Sequence, residues 1–190
     1  MTKFGIDVSA DARGILQPKL KYKYRVEFRM DGEGVREYTR NVVTADRPKI
    51  TYEEVQIHSY NSRIYLTGKH EWQMINLTFR DDVQNNISGL VGRQIQRQVD
   101  HHNQVSALSG VDYKFELTVA ILTGNHGDSA VELDKWHLEG CFIQNVDYDQ
   151  GDYSASDPVQ ITIAVRYDNA LHFGTGGTNL MPTGVTAQTT

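Results

Sequence analysis

Residues 21–30 alternate between apolar and polar positions, with Tyr22, Tyr24, Val26, Phe28 and Met30 on one side and Lys21, Lys23, Arg25, Glu27 and Arg29 on the other. A period of two is the signature of a strand with one buried face. Asp31-Gly32-Glu33-Gly34 then supplies turn residues before a second extended segment over residues 36–44, so a β-hairpin is expected. The basic side of the first strand is either a solvated sheet face or a surface that meets an acidic neighbour. The same period returns at Tyr113, Phe115, Leu117, Val119 and Ile121, and again at Val159, Ile161, Ile163, Val165 and Tyr167. Shorter strands are expected over residues 53–59, 62–66, 71–80, 130–138 and 142–148, most of them bounded by Gly, Asn or Asp. Pro48 and Pro158 fall at strand starts or edges, where a missing N–H costs least. The pattern predicts antiparallel β architecture.

One stretch departs from it. Ile87, Leu90, Val91, Ile95, Val99 and Val105 follow a helical stripe, and Asp81 or Asp82 can cap its start, which predicts one amphipathic helix over about residues 82–104. Gly89 and Gly92 each cost about 1 kcal/mol relative to Ala in a helix, so this helix must draw its stability from docking on the sheet. The ends lack periodicity. Residues 1–20 read as an N-terminal arm, and residues 174–190, rich in Gly and Thr and without charge, read as a flexible tail or one ordered by a partner.

The chain has 190 residues, enough for one domain with a substantial core. Its apolar fraction of 39% and charged fraction of 23% are those of a folded domain, not a disordered one. A net charge of −5 argues against sequence-specific nucleic-acid binding, which draws on phosphate neutralisation. The longest apolar run, Val119 to Leu122, is far too short to span a bilayer, so no membrane anchor is expected. The start lacks the apolar core of a signal peptide, and synthesis in the cytoplasm is expected.

Candidate chemistry is sparse. The seven histidines form no two-ligand helical motif, and His137 and Cys141 are too far apart along a strand to share a ligand point. No metal and no cofactor is expected. His101-His102 reads as a solvated helix C-terminus, where positive charge suits the dipole. Asp147-Tyr148-Asp149-Gln150-Gly151-Asp152 has a superficial likeness to a calcium loop, but Gly151 stands at position five and Pro158 at twelve, so a solvated hairpin loop is expected instead. Gly174-Thr175-Gly176-Gly177 follows the last strand without a helix or a Gly-Lys-Ser/Thr sequence, which excludes a phosphate loop. There is no Gly-x-Ser-x-Gly, and the Asp81-Asp82 pair is accounted for by a helix N-terminus, so no catalytic residues are assigned and the chain is not expected to be an enzyme. Cys141 is the only cysteine, which rules out an intrachain disulfide.

The order of features carries more information than any single motif. A Tyr-x-Val-x-Phe strand and a hairpin lead to Ala45-Asp46-Arg47-Pro48, Tyr52-Glu53-Glu54-Val55 and Asn61-Ser62-Arg63-Ile64-Tyr65-Leu66-Thr67-Gly68. Trp72, Ile75-Asn76-Leu77-Thr78-Phe79, Asp81-Asp82 and the helix follow, and Val146-Asp147-Tyr148-Asp149 and residues 159–168 close the series. Over roughly residues 20–173 this resembles the tail tube proteins of contractile-tailed bacteriophages.

That resemblance implies a mainly β subunit, residues 21–173, in which two antiparallel sheets pack as a barrel-like sandwich with one flanking α-helix. It further implies a structural virion protein, a homohexamer whose rings stack into the hollow inner tube of the phage tail, with DNA passing through without sequence reading. Sheath and baseplate proteins are the implied partners beside the chain itself. Net negative charge suits such a channel, because it repels phosphates and keeps transit reversible. Arg63, Tyr65, Gly68 and Trp72 match the family segment that reaches toward neighbouring subunits, so a contact role is expected there. Related assemblies give variants: a tube-initiating baseplate subunit, or the inner tube of a type VI secretion or bacteriocin-like contractile injection system. From a different class stands a monomeric β-sandwich binding module for carbohydrate or protein, which the tyrosine-rich composition would serve.

Overall fold

The alternation of Tyr24–Met30 becomes strand β1, with Val26, Phe28 and Met30 buried as its period requires. This computed structural model describes residues 19–30, 34–123 and 130–181. After β1 come β2 (Gly34–Glu37), β3 (Val42–Ala45), β4 (Lys49–Ser59), β5 (Ser62–Gln73) and β6 (Ile75–Arg80). Helix α1 (Asn86–Gln98) precedes β7 (Val99–Asp100), β8 (Val105–Ser106) and β9 (Phe115–Leu122). The chain closes with β10 (Glu132–Asp147), β11 (Gln160–Arg166) and β12 (Asn169–Gly174).

Among the described residues seven strands form one antiparallel path, β2-β1-β9-β10-β11-β6-β3, and an eighth, β12, lies alongside β10. The first part of β10 pairs with β9 and β12, and its last part pairs with β11, so this 16-residue strand belongs to both layers of the fold. The layers meet over a shared core: Phe28 of β1 lies 5.9 Å from Phe79 of β6, ring centre to ring centre. The ends of the path, β2 and β3, do not pair with each other, so the sandwich stays open as a barrel among the described residues. A tyrosine side chain links β1 to β3 on that side instead. The Tyr24 hydroxyl lies 3.0 Å from the Val42 carbonyl and 2.9 Å from that of Val43. Ile87, Leu90 and Val91 of α1 complete the core.

Several sequence expectations change at their boundaries. The segment over residues 36–44 is two strands: the chain turns after Tyr38, whose carbonyl accepts the N–H groups of Asn41 and Val42, and β3 crosses to pair with β6. The strand expected over residues 71–80 is divided at Met74, with Glu71 to Gln73 ending β5 and Ile75 starting β6. The two strands expected over residues 130–138 and 142–148 are one, kept continuous through β-bulges. The helix is shorter than residues 82–104. Asp82 satisfies its first turn from outside, accepting from the Asn86 N–H at 2.8 Å, and Val99-Asp100 leaves the helix to pair with Val105-Ser106. His101 and His102 therefore sit in the turn of that small hairpin, not on a helix end. Residues 174–181 fold back on β12, where Leu180 N–H donates to His172 O at 2.8 Å, so this part of the expected tail is structured by main-chain pairing. Residues 1–18 and 182–190 of the expected arm and tail lie outside the described residues.

Candidate assembly surface

Among the described residues, strands β4 and β5 pair only with each other, over almost their whole length, around the turn at Tyr60 and Asn61. Opposite residues in an antiparallel pair point to the same side, so the register sorts the hairpin into two faces. Ile57 opposes Ile64 and Val55 opposes Leu66, giving an apolar face; His58 opposes Arg63, Gln56 opposes Tyr65 and Glu54 opposes Thr67, giving a polar one. The four apolar side chains are 46% to 55% exposed, so that face stays open to solvent among the described residues. A two-stranded hairpin is marginally stable in water by itself, and a contiguous apolar face of this kind marks an interaction surface.

The four residues singled out from the sequence fall at different places on this hairpin. Arg63 and Tyr65 are exposed on the polar face. Gly68 stands by the register shift between Tyr52 and Glu54, where an added Cβ would come within 3.0 Å of Glu53 Cβ and 3.3 Å of Val55 Cγ2. Trp72 is at the root, 7% exposed, opposite Ile50 and inside the chain's own core. Its ring lies 5.9 Å from Tyr167 and 6.4 Å, edge-on, from Trp136. The apolar quartet of Val55, Ile57, Ile64 and Leu66 was not singled out, although its alternation within the expected strands was the available signal.

Polar contacts fix the root as well. Arg166 Nη2 meets Glu71 Oε1 at 2.7 Å, tying β11 to β5. Arg47, just before β4, reaches Asp134 Oδ2 at 3.6 Å, and Lys19 reaches the same oxygen at 3.3 Å. Asp134 is 5% exposed and also bonds His172, whose ring stacks on Trp136 at 4.1 Å and 5°. Burial alone would push the Asp134 carboxyl up, but the bonds from His172 and Lys19 outweigh it and hold the group below the ordinary carboxylate range. One buried carboxylate thus joins the hairpin root, the residues before β1 and strand β12.

The remaining candidates of the sequence resolve into structure. The two arginines of the basic row meet acids of their own sheet: Arg25 pairs with Glu27 at 2.8 Å and with Glu132, and Arg29 with Glu116 at 3.4 Å. Asp81 bonds Ser88, and Asp82 bonds Asn86, both at the start of α1. Cys141 is buried, which pushes its thiol well above its usual range and leaves it unreactive. His137 faces Thr118 at 3.2 Å. In the loop after β10, Asp147 accepts from Asp149 N–H at 3.0 Å and Asp152 from Ser154 N–H at 2.8 Å, which is turn chemistry. Among the described residues, no three His, Cys, Asp or Glu side chains stand together as a metal site, and no helix is long and apolar enough to cross a membrane.

No family model and no curated protein matches this chain. Solved structures do. A chain of the anti-feeding prophage (AFP) baseplate superposes with a TM-score of 0.66 at 11% identity, covering 84% of this chain and 98% of that one. A chain of the sheath-tube complex of the extracellular contractile injection system PVC, in its extended state, gives 0.60 at 14% identity, covering 88% and 99%. The SPP1 tail tube protein gives 0.51 at 13% identity, covering 83% and 80%. Nearly the whole of both injection-system chains is matched, so the likeness is one of complete domains. The chain has the tail-tube fold that these injection-system and phage proteins share.

Proposed function

We propose that this protein is a non-enzymatic structural subunit that assembles with copies of itself into rings, six to a ring, and that these rings stack into the hollow inner tube of a contractile tail or injection device. The observation that carries this reading is the β4–β5 hairpin, whose whole apolar face is exposed on a fold shared with tube subunits. Burying four aliphatic side chains of this kind against a neighbour is worth several kcal/mol at about 25 cal/mol per Å², enough to favour association once orientation costs are met. In this reading Arg63, Tyr65 and Gly68 belong to the subunit contact, and Trp72 anchors the hairpin that makes it. In this reading the β domain of residues 21–173 is the body of the subunit. A phage tail would pass DNA through the tube, and sheath and baseplate proteins would complete the assembly in the virion after synthesis in the host cytoplasm.

A second reading keeps the fold and changes the place: a tube-initiating subunit at the baseplate. The AFP baseplate chain, matched over 98% of its length, favours it. Electron microscopy and native mass spectrometry of the purified protein separate the two. Stacked hollow tubes of six-membered rings support the first, single rings that do not elongate support the second, and monomer at every concentration overturns both.

A further inference from the structure

We propose that the acidic loop joining β10 to β11 seats in the basic groove beside the β3–β4 connection of a second copy of this chain. The inference rests on the self-assembly reading and names the two surfaces that meet. Between Asp147 and Gln160 the loop carries Asp147, Asp149, Asp152 and Asp157 and no lysine or arginine. It also presents Tyr148 and Tyr153 to solvent. The groove has a volume of about 740 Å3 and is walled by Lys19, Lys21, Arg47 and Lys49 over a floor that includes Val119 and Ile121. Asp46 is the single carboxylate among the described residues of its lining. Lys19 and Arg47 lean toward the buried Asp134, whereas Lys21 and Lys49 pair with no carboxylate among the described residues. Four acids with two aromatic rings on one surface therefore match cations over an apolar floor on the other, and opposite charge selects and orients such a contact.

Within one chain the two surfaces lead away from opposite ends of β6. Gln160, where the loop ends, pairs with Arg80 at one end of β6, and Val159 O accepts from Asp81 N–H there. Toward the other end of β6, Ala45 pairs with Leu77 and Asp46 N–H donates to Asn76 O, so Arg47 and Lys49 of the groove lead away from that opposite end. A surface at one end of a subunit that fits a different surface at the other end makes a head-to-tail contact, and such contacts close into rings or extend as stacks.

Three variants and one crosslink test this. Lys21→Glu with Lys49→Glu, and separately Asp152→Lys with Asp157→Lys, should each raise the concentration needed for half-assembly about tenfold or more in sedimentation experiments. The chain carrying all four reversals should assemble close to the wild-type concentration. Circular dichroism confirms that each variant is folded. In wild-type protein mixed from isotopically light and heavy chains, a zero-length carbodiimide crosslinker should join Lys21 or Lys49 of one isotope to Asp152 or Asp157 of the other. Paired reversals that assemble like wild type, a fourfold variant that stays impaired while folded, or crosslinks from Lys21 and Lys49 only to residues 1–18 would overturn the proposal while leaving assembly intact. A wild-type chain that stays monomeric overturns the assembly reading and this contact together.

Discussion

Gly140 and Asp168 face each other at the corner where β10 passes from one layer to the other. Gly140 has φ +66°, and a Cβ placed on it would lie 2.7 Å from Asp168 Cγ. In the connection between β11 and β12, Asp168 N–H donates to Glu139 O at 3.0 Å, and the Asp168 carboxylate pairs with Lys114. The left-handed backbone and the close approach both require glycine here. Gly140→Ala should lower unfolding free energy by about 1–3 kcal/mol, read from denaturant melts, since the new methyl must displace Asp168 as well as strain the backbone. Wild-type stability would show that the corner adjusts freely.

Helix α1 docks through Gln98, whose amide meets β10 at two points. Its Nε2 donates to Ile143 O at 2.9 Å and its Oε1 accepts from Ile143 N–H at 2.9 Å, two residues past Cys141, where pairing with β9 ends. A side chain thus supplies the partner that no strand provides there. Gln98→Leu leaves both Ile143 groups without it and should cost about 2 kcal/mol in chemical denaturation.

The exposed face of the hairpin and its buried root should respond oppositely to mutation. Ile57→Ser with Ile64→Ser removes side chains that are 46% and 55% exposed, so monomer melting should shift much less than for a core position while assembly is lost. Trp72→Ala empties a core position between Tyr167 and Trp136 and should cost about 3–5 kcal/mol of folding stability. Melting curves and sedimentation on the same samples check both. Equal loss of stability in the two variants would place the apolar face inside the folded monomer.

Asp134 makes stability depend on acid. Its carboxyl is held below the ordinary range in the folded chain, so it contributes stability above the unfolded carboxylate value of about 3.9 and loses it as pH falls through the lower folded value. The stability gap between wild type and Asp134→Asn should therefore be constant near pH 5 and shrink steadily below about pH 4. Denaturant melts from pH 5 to pH 2 measure it.

The alternations of Tyr24–Met30, Phe115–Leu122 and Gln160–Arg166 were legible in the sequence because each strand has one buried face, and burial writes a period of two into the residues themselves. The stripe of Ile87, Leu90 and Val91 was legible for the same reason at helical spacing. Tertiary structure decided what periodicity does not encode: that residues 132–147 form one bulged strand shared by two layers, that β3 leaves its hairpin to pair with β6, and that Val99 ends the helix. These outcomes depend on main-chain hydrogen bonds to distant partners, and the main chain is the same at every residue. The hairpin face lay between the two cases. Val55, Ile57, Ile64 and Leu66 alternate as a strand should, yet only the fold shows that no core lies beneath them, because exposure is a property of the surroundings and not of the side chain.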